Sequence, residues 1–306
     1  MRWSAITEHD RPRQPRTLAR YWEALAGGRA HCLLCPQDCH IPDGRLGLCR
    51  VRLNEGGSLY SLNYGRVSSL GLDPIEKKPL YRFHPGSYIL SLGTLGCNLA
   101  CGFCQNWQIS QADAPTEPLS PEQAAELAVR PQHGMVSIGL AYTYSEPSVW
   151  AEYILDTAPL ARAKGLKNVL VTNGYIREGP LKDLIPWVDA ANVDLKSFRD
   201  EFYRRHCAGR LEPVLGTIAR LHRAGVHVEV TTLLIPGEND GEAELRELVD
   251  WLAALDPDIP LHVSRYHPAH RFTIPPTPVA TLRRACGLAR RKLRYVYAGN
   301  VPDPDH

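Results

Sequence analysis

The sequence predicts an α/β fold, a partial (β/α)6 barrel preceded by a small Cys-rich metal-binding module, and three observations carry that expectation. Short apolar runs alternate with stretches of helical length from Tyr88 onward. The region before Tyr88 is rich in Cys, Gly and Pro and lacks long helical periodicity. Three cysteines stand directly after the first apolar run, Tyr88-Ile-Leu-Ser-Leu-Gly-Thr-Leu95. Strand-length runs that alternate with helices build a parallel sheet with right-handed crossovers, and functional groups then gather at the C-terminal ends of the strands.

In chain order, an Arg- and Pro-rich start leads into a short helix expected around Leu18–Leu25. Residues 31–87 suggest a metal-stapled module with short strands near Ser58–Tyr64, so the division falls at 1–87 and 88–306. Buried strands are expected at 88–95, 135–142, 167–172, 189–195, 226–235 and 261–266. Helices are expected near 120–130, 147–164, 179–187, 200–224 and 242–255. A helix near 277–291 and a strand at Leu293–Tyr297 follow.

With 306 residues and 44% apolar content, the chain can bury one large core plus an appendage. Net charge is only +2, and clusters such as Arg290-Arg291-Lys292 read as solvated helix faces. The sequence has no long like-charge block, bilayer-length apolar run or secretory segment. These features point away from nucleic acid and membranes and towards the cytoplasm. Nine Cys at metal-type spacings point to thiolate ligation in a reducing compartment rather than to disulfides.

Cys97, Cys101 and Cys104 lie in Gly96-Cys-Asn-Leu-Ala-Cys-Gly-Phe-Cys-Gln-Asn-Trp107. Three thiolates at this spacing suit a four-iron cubane and leave one iron open for a small molecule to chelate. A zinc knuckle is the alternative. After the second strand, Ala141-Tyr-Thr-Tyr-Ser-Glu-Pro147 sets the Glu146 carboxylate at the barrel mouth. The same stretch also reads as a helix start with Ser145 as N-cap. The third strand ends in Val171-Thr-Asn-Gly174 and the fourth in Val193-Asp-Leu-Lys196. Asn173 and Asp194 should then point into the mouth, with Lys196 on the side of Asp194, unless Asp194 and Lys196 form a plain surface couple. The sixth strand leads into His262-Val-Ser-Arg-Tyr-His-Pro-Ala-His270, whose His spacings do not make a tight metal trio. His267 is expected to face substrate and His270 to be structural.

The head carries a second thiolate set, Cys32, Cys35, Cys39 and Cys49. It suits a closed four-thiolate site for structural zinc or for an auxiliary iron–sulfur cluster. The small core of the module favours a zinc staple, and the partnership with a redox cluster favours a second cluster; the balance leans slightly to zinc. Cys207 and Cys286 read as small buried hydrophobes.

The Cys-x3-Cys-x2-Cys spacing, with Phe103 before the last Cys, resembles the signature of the radical S-adenosylmethionine (radical SAM) superfamily. The resemblance implies that the open iron of a 4Fe-4S cluster binds SAM, and that one electron cleaves its sulfonium to a 5′-deoxyadenosyl radical that abstracts hydrogen. Glu146-Pro147 stands where the superfamily's Gly-Gly-Glu-Pro motif meets the SAM ammonium, with Tyr144 and Ser145 replacing the glycines. Asp194-x-Lys196 is similar to a SAM-site motif of pyruvate formate-lyase activating enzymes. The cofactor-binding set implied is Phe103, Asn106, Glu146, Asn173, Asp194, Lys196 and His267.

The order of motifs from about Cys32 to Asn300 looks like the AmmeMemoRadiSam system radical SAM enzyme. This resemblance implies a reductant such as flavodoxin or ferredoxin, together with AMMECR1-like and MEMO1-like companions. Where many relatives carry a Cys-containing tail, this sequence reads Asp303-Pro-Asp-His306. The function expected is hydrogen abstraction from an unidentified substrate. The alternatives are an activase installing a glycyl radical on a partner enzyme and a non-catalytic metal-binding scaffold. Glu146, Asn173 and Asp194 at three separate strand ends argue against the scaffold.

Overall fold

The computed structural model describes residues 16–301 apart from His133; the Arg- and Pro-rich start and the tail at 302–306 lie outside the described residues. The expected helix around Leu18–Leu25 is instead two strands, β1 (Thr17–Leu18) and β2 (Trp22–Leu25). Gly27 and Gly28 decide this: both take positive φ, 74° and 70°, and turn the chain back so that β2 pairs antiparallel with β3 (Arg29–Cys32). A Gly-Gly turn is a hairpin signal that outweighs a short helical pattern. β4 (His40–Ile41) adds a third strand on β3, and β5 (Arg52–Glu55) and β6 (Ser58–Ser61) form another three-stranded sheet with β1.

β7 (Arg66–Val67) leads to β8 (Ser69–Pro74), which joins the main sheet as its antiparallel edge. The sheet therefore reaches back across the division expected at 87/88. Its next strand is β9 (Tyr88–Gly93), followed by the short α1 (Trp107–Ser110) and by β10 (Glu117–Pro118), which pairs with β7. α2 (Pro121–Val129) starts in a capping box between Ser120 and Gln123 with Pro121 in the first turn. The alternation then continues through β11 (Ser137–Tyr142), α3 (Ala151–Ala163), β12 (Lys167–Thr172), α4 (Glu178–Leu184) and β13 (Ala190–Asp194). The helix expected over 200–224 is broken in two. α5 (Asp200–Phe202) runs into one π-helical turn at Tyr203–Cys207, and Ala208 at φ 55° ends it before α6 (Leu211–Arg223). β14 (His227–Leu234), α7 (Glu242–Leu255), β15 (Leu261–Arg265), α8 (Val279–Ala289) and β16 (Val296–Gly299) complete the order.

The eight strands lie in the order β16-β15-β14-β13-β12-β11-β9-β8, parallel except for β8. Each of the six expected buried strands is a member of this mixed sheet. Because side chains alternate between faces, Leu90, Leu92, Leu140, Tyr142, Leu170 and Val193 belong to the main core with residues of the helices, such as Ile218 and Leu221 of α6. The alternate residues Ile89, Ala141, Val169 and Ala190 form a separate cluster with Ile75 and Leu80. The segment carrying Ile75 and Leu80 closes the N-terminal end of that second face. Asn192 donates to the Pro79 carbonyl at 2.8 Å, and the Glu229 carboxylate accepts from the backbone N–H groups of Tyr81 (3.1 Å) and Arg82 (2.7 Å). His262 bonds the same carboxylate at 2.6 Å and is buried, so it is a structural residue at the closed end. With one end filled, the strand C-terminal ends carry the site.

Candidate functional site

The loop after β9 is held against the body of the protein by backbone hydrogen bonds. Ala100 donates to the Cys207 carbonyl at 2.8 Å, Gly102 to the His206 carbonyl at 2.9 Å and Gly96 to the Ile109 carbonyl at 2.9 Å. The π-helical turn at Tyr203–Cys207 thus supplies two of the acceptors. Gly96 is required where it stands: its φ is +88°, and a Cβ there would lie 2.5 Å from the Cys49 carbonyl oxygen. The loop places Cys97, Cys101 and Cys104 beside one another, with Cys101 buried and the other two half-buried.

Each sulfur has a partner. Asn173 Nδ2 and the Leu99 N–H approach Cys97 Sγ at 3.5 and 3.4 Å, and Cys104 Sγ lies 3.3 Å from Ser110 Oγ. The Cys207 thiol hydrogen-bonds Cys101 and lowers its pKa against the effect of burial, with the nearby Lys196 charge adding to the shift. Burial pushes the Cys97 thiol up. Among the described residues, no three thiols lie within 4.8 Å of one another. A single zinc would draw its thiolates to about 3.8 Å apart, given a Zn–S bond near 2.3 Å in tetrahedral geometry. At least one pair of the loop thiols stands farther apart than that, and three thiolates on one loop suit three corners of a cubane.

Glu146 is 2% exposed, and three donors take its carboxylate: the Ser148 N–H at 2.9 Å, Thr172 Oγ1 at 2.7 Å and the Asn173 N–H at 2.8 Å. Burial pushes its pKa up and these donors pull it back. Glu146, rather than the expected Ser145, caps the short helical turn Pro147–Trp150 that leads into α3. Asn173 lies beside it and bonds Asn98 Oδ1 at 2.9 Å as well as Cys97, so two predicted site residues and the first cysteine meet. Asp194 and Lys196 pair at 2.8 Å at the end of β13. Burial works against the Lys196 charge, but Asp194 and the Cys101 and Cys207 thiols outweigh it and raise its pKa.

The structure places three further expected residues around this group as follows. The Phe103 ring is 4% exposed and packs against Phe202 and Phe272 at centroid distances of 5.7 and 5.5 Å, so the side chain is core. Asn106 donates to the Tyr144 carbonyl at 2.8 Å and braces the turn before Glu146. His267 is exposed after β15, whereas His270 stacks on Trp107 at 5.1 Å.

Several contributors escaped sequence reading. Tyr144 takes φ 66°, and its hydroxyl bonds Asp73 at 2.5 Å while Lys78 lies over its ring at 4.5 Å. Nothing in sequence links position 144 to 73 or 78. Cys207 is no isolated hydrophobe, since it abuts Cys101; its place on a turn facing the loop was invisible in one dimension. Asn98 had a signal, being the neighbour of Cys97.

In the head, Cys32, Cys35, Cys39 and Cys49 line one pocket together with Arg52, Gln37 and Asn98. His31, Asp38 and His40 approach one another nearby, but both His31 ring nitrogens are engaged, by Glu23 (2.8 Å) and Asp38 (2.6 Å), and Asp38 pairs with Arg177. That trio is a hydrogen-bonded surface cluster.

A thiol trio at the C-terminal edge of a mostly parallel sheet, spaced for a cubane, defines an iron–sulfur enzyme class. Residues 92–252, just over half of the chain, match the Radical SAM superfamily. The chain belongs to that superfamily, whose members are enzymes using a 4Fe-4S cluster and SAM. It is 43% identical over 290 residues to an uncharacterized protein of Methanocaldococcus jannaschii, covering 93% of this chain and 85% of that one. It is 21% identical over 160 residues to the pyruvate formate-lyase-activating enzyme of Clostridium pasteurianum, covering 51% of this chain and 65% of the relative. A radical SAM methyltransferase from Sphaerobacter thermophilus shares the fold at TM-score 0.56 and 16% identity, over 71% of this chain and 67% of the other. SuiB of Streptococcus suis bound to S-adenosylmethionine shares it at TM-score 0.53 and 15% identity, over 67% of this chain and 48% of SuiB. Among the described residues no helix is long and apolar enough to cross a membrane.

Proposed function

We propose that this chain cleaves SAM reductively and removes a hydrogen atom from a substrate still to be identified. The observation that carries the reading is the trio Cys97, Cys101 and Cys104, bonded into place at the strand C-terminal ends within the segment that matches the Radical SAM superfamily. These three thiolates would hold a 4Fe-4S cluster. When bound, the cluster would supply the electron for reductive cleavage of SAM.

The chain's own residues arrange that event. Asn173 fixes Cys97 from the side, and the Cys207 thiol does the same for Cys101. Glu146 fixes Asn173 through its backbone N–H; three donors leave one of the roughly four lone-pair positions of a carboxylate for the SAM ammonium. The Asp194–Lys196 pair offers a carboxylate, 39% exposed, on the adjoining strand end. Phe103 supports the loop through its buried ring, Asn106 holds the Tyr144 turn, and His267 stands exposed after β15 towards substrate.

The frame we propose is a partial barrel behind a Cys-rich head that binds zinc or a second cluster, in a cytoplasmic enzyme of oxidoreductase type assigned to the AmmeMemoRadiSam system. A flavodoxin- or ferredoxin-class donor reduces it, and AMMECR1-like and MEMO1-like proteins are its companions. Likeness to a pyruvate formate-lyase-activating enzyme supports a second reading, an activase acting on a glycyl residue of a partner protein.

The test is anaerobic reconstitution with SAM and dithionite, reading 5′-deoxyadenosine by chromatography. Wild type should produce it. Replacing Cys97, Cys101 and Cys104 together by Ala should abolish it without loss of folded secondary structure. Product from the triple variant would refute the assignment.

A further inference from the structure

We propose that Cys32, Cys35, Cys39 and Cys49 hold a second four-iron, four-sulfide cluster, and that the head is not a zinc staple. The proposal deepens the reading above, resting on it only for the first cluster.

Three independent features carry it. All four thiols line one pocket, yet among the described residues no three of them approach within 4.8 Å of one another. Four thiolates sharing one zinc would sit about 3.8 Å apart, whereas the outward corners of a cubane set its ligands about 6 Å apart. In both sets at least one pair among any three thiols stands beyond 4.8 Å, and the loop thiols lie within the segment that matches the superfamily.

The second feature is a buried donor with nothing to bond. Arg52 is 2% exposed and lines the thiol pocket. Its Nη atoms bind the Glu152 carboxylate at 2.6 and 2.7 Å, but Nε has no hydrogen-bond partner. A fully buried N–H left unpaired costs about 1–3 kcal/mol. A charged donor facing four thiols is satisfied by sulfur once a cluster fills the space, because hydrogen bonds to cluster sulfurs are a standard device for tuning such centres.

The third feature is position. Asn98, the residue after Cys97, forms part of the pocket wall, and Gln37 donates to its carbonyl at 2.7 Å. Gly96 packs directly against the Cys49 carbonyl, so that no side chain fits between the two loops. The second thiol set therefore shares a wall with the first instead of stapling a remote module.

The experiment expresses wild type and the Cys97→Ala/Cys101→Ala/Cys104→Ala variant with iron and zinc both supplied. The full chains are reconstituted anaerobically with iron and sulfide, and iron, acid-labile sulfide and zinc are measured with Mössbauer spectra. Expected contents are about eight iron in wild type and about four iron and four sulfide in the triple variant, with a four-iron spectrum in both. Adding Cys32→Ala, Cys35→Ala, Cys39→Ala and Cys49→Ala to the triple variant should remove the remaining iron. One zinc per chain and no cluster iron in the triple variant would overturn the proposal, as would neither metal. Iron lost between wild type and the triple variant reports on the first cluster, and iron that remains reports on the second, so the two readings fail separately.

Discussion

Glu146→Gln isolates what the buried carboxylate does. Oε1 accepts from Ser148 N–H and Thr172 Oγ1, and Oε2 accepts from Asn173 N–H. An amide in its place has one oxygen and one NH2 group. In one orientation the NH2 opposes the Asn173 N–H, and in the other it opposes the Ser148 N–H. Either way a buried backbone donor loses its acceptor, at about 1–3 kcal/mol, and the surviving bonds weaken from charged to neutral at about 1 kcal/mol. The expected destabilisation is therefore about 2–4 kcal/mol, a fall in Tm of several degrees at about 2–4 °C per kcal/mol. Calorimetry or urea unfolding reads the loss, and equilibrium dialysis of the reconstituted protein reads SAM affinity, which should fall less than the stability does. Unchanged Tm together with a tenfold or greater loss of SAM affinity would refute the reasoning. It would mean that the carboxylate's main bond is to ligand and that its internal bonds contribute little.

Two further outcomes are expected. Burial alone would raise the Glu229 pKa, but bonds from His227 and His262 outweigh it and hold it at about 2. A depressed carboxylate contributes stability above its unfolded pKa near 4.5 and loses it as pH falls towards 2, so Glu229→Gln should cost roughly 3 kcal/mol at pH 6 and clearly less at pH 3 by urea unfolding; a gap that does not narrow would contradict the linkage. Gly96→Ala places a Cβ 2.5 Å from the Cys49 carbonyl in a left-handed conformation and should cost at least about 2 kcal/mol while lowering the iron content of both thiol sites; an unaltered iron content would mean that the two loops do not depend on their close approach.

Periodicity and punctuation made much of this protein legible from one dimension. The strands at 88–93, 137–142, 167–172, 190–194, 227–234 and 261–265 stand where apolar runs of strand length occur, because a strand buried on both faces is mostly apolar, with its few polar residues, such as Asn192, Glu229 and His262, hydrogen-bonded inside. The cysteine trio was legible because its ligands lie within a single loop, and Asn173 and Asp194 because strand ends gather at one edge whatever the sequence between them. The segment Leu18–Leu25 was misread since a hairpin depends on a partner strand as well as on its own pattern. Only tertiary structure decided the rest. Cys207 meets Cys101 through a π-helical turn, Tyr144 meets Asp73 and Lys78 across the edge of the sheet, and the Glu146 carboxylate bonds Thr172 and Asn173. Such contacts join groups far apart in sequence, and their energy comes from burial and hydrogen-bond geometry that no local pattern encodes. The head pocket belongs to the same category: sequence spacing supplies four cysteines, but only the fold brings Arg52, Gln37 and Asn98 to line one pocket with them.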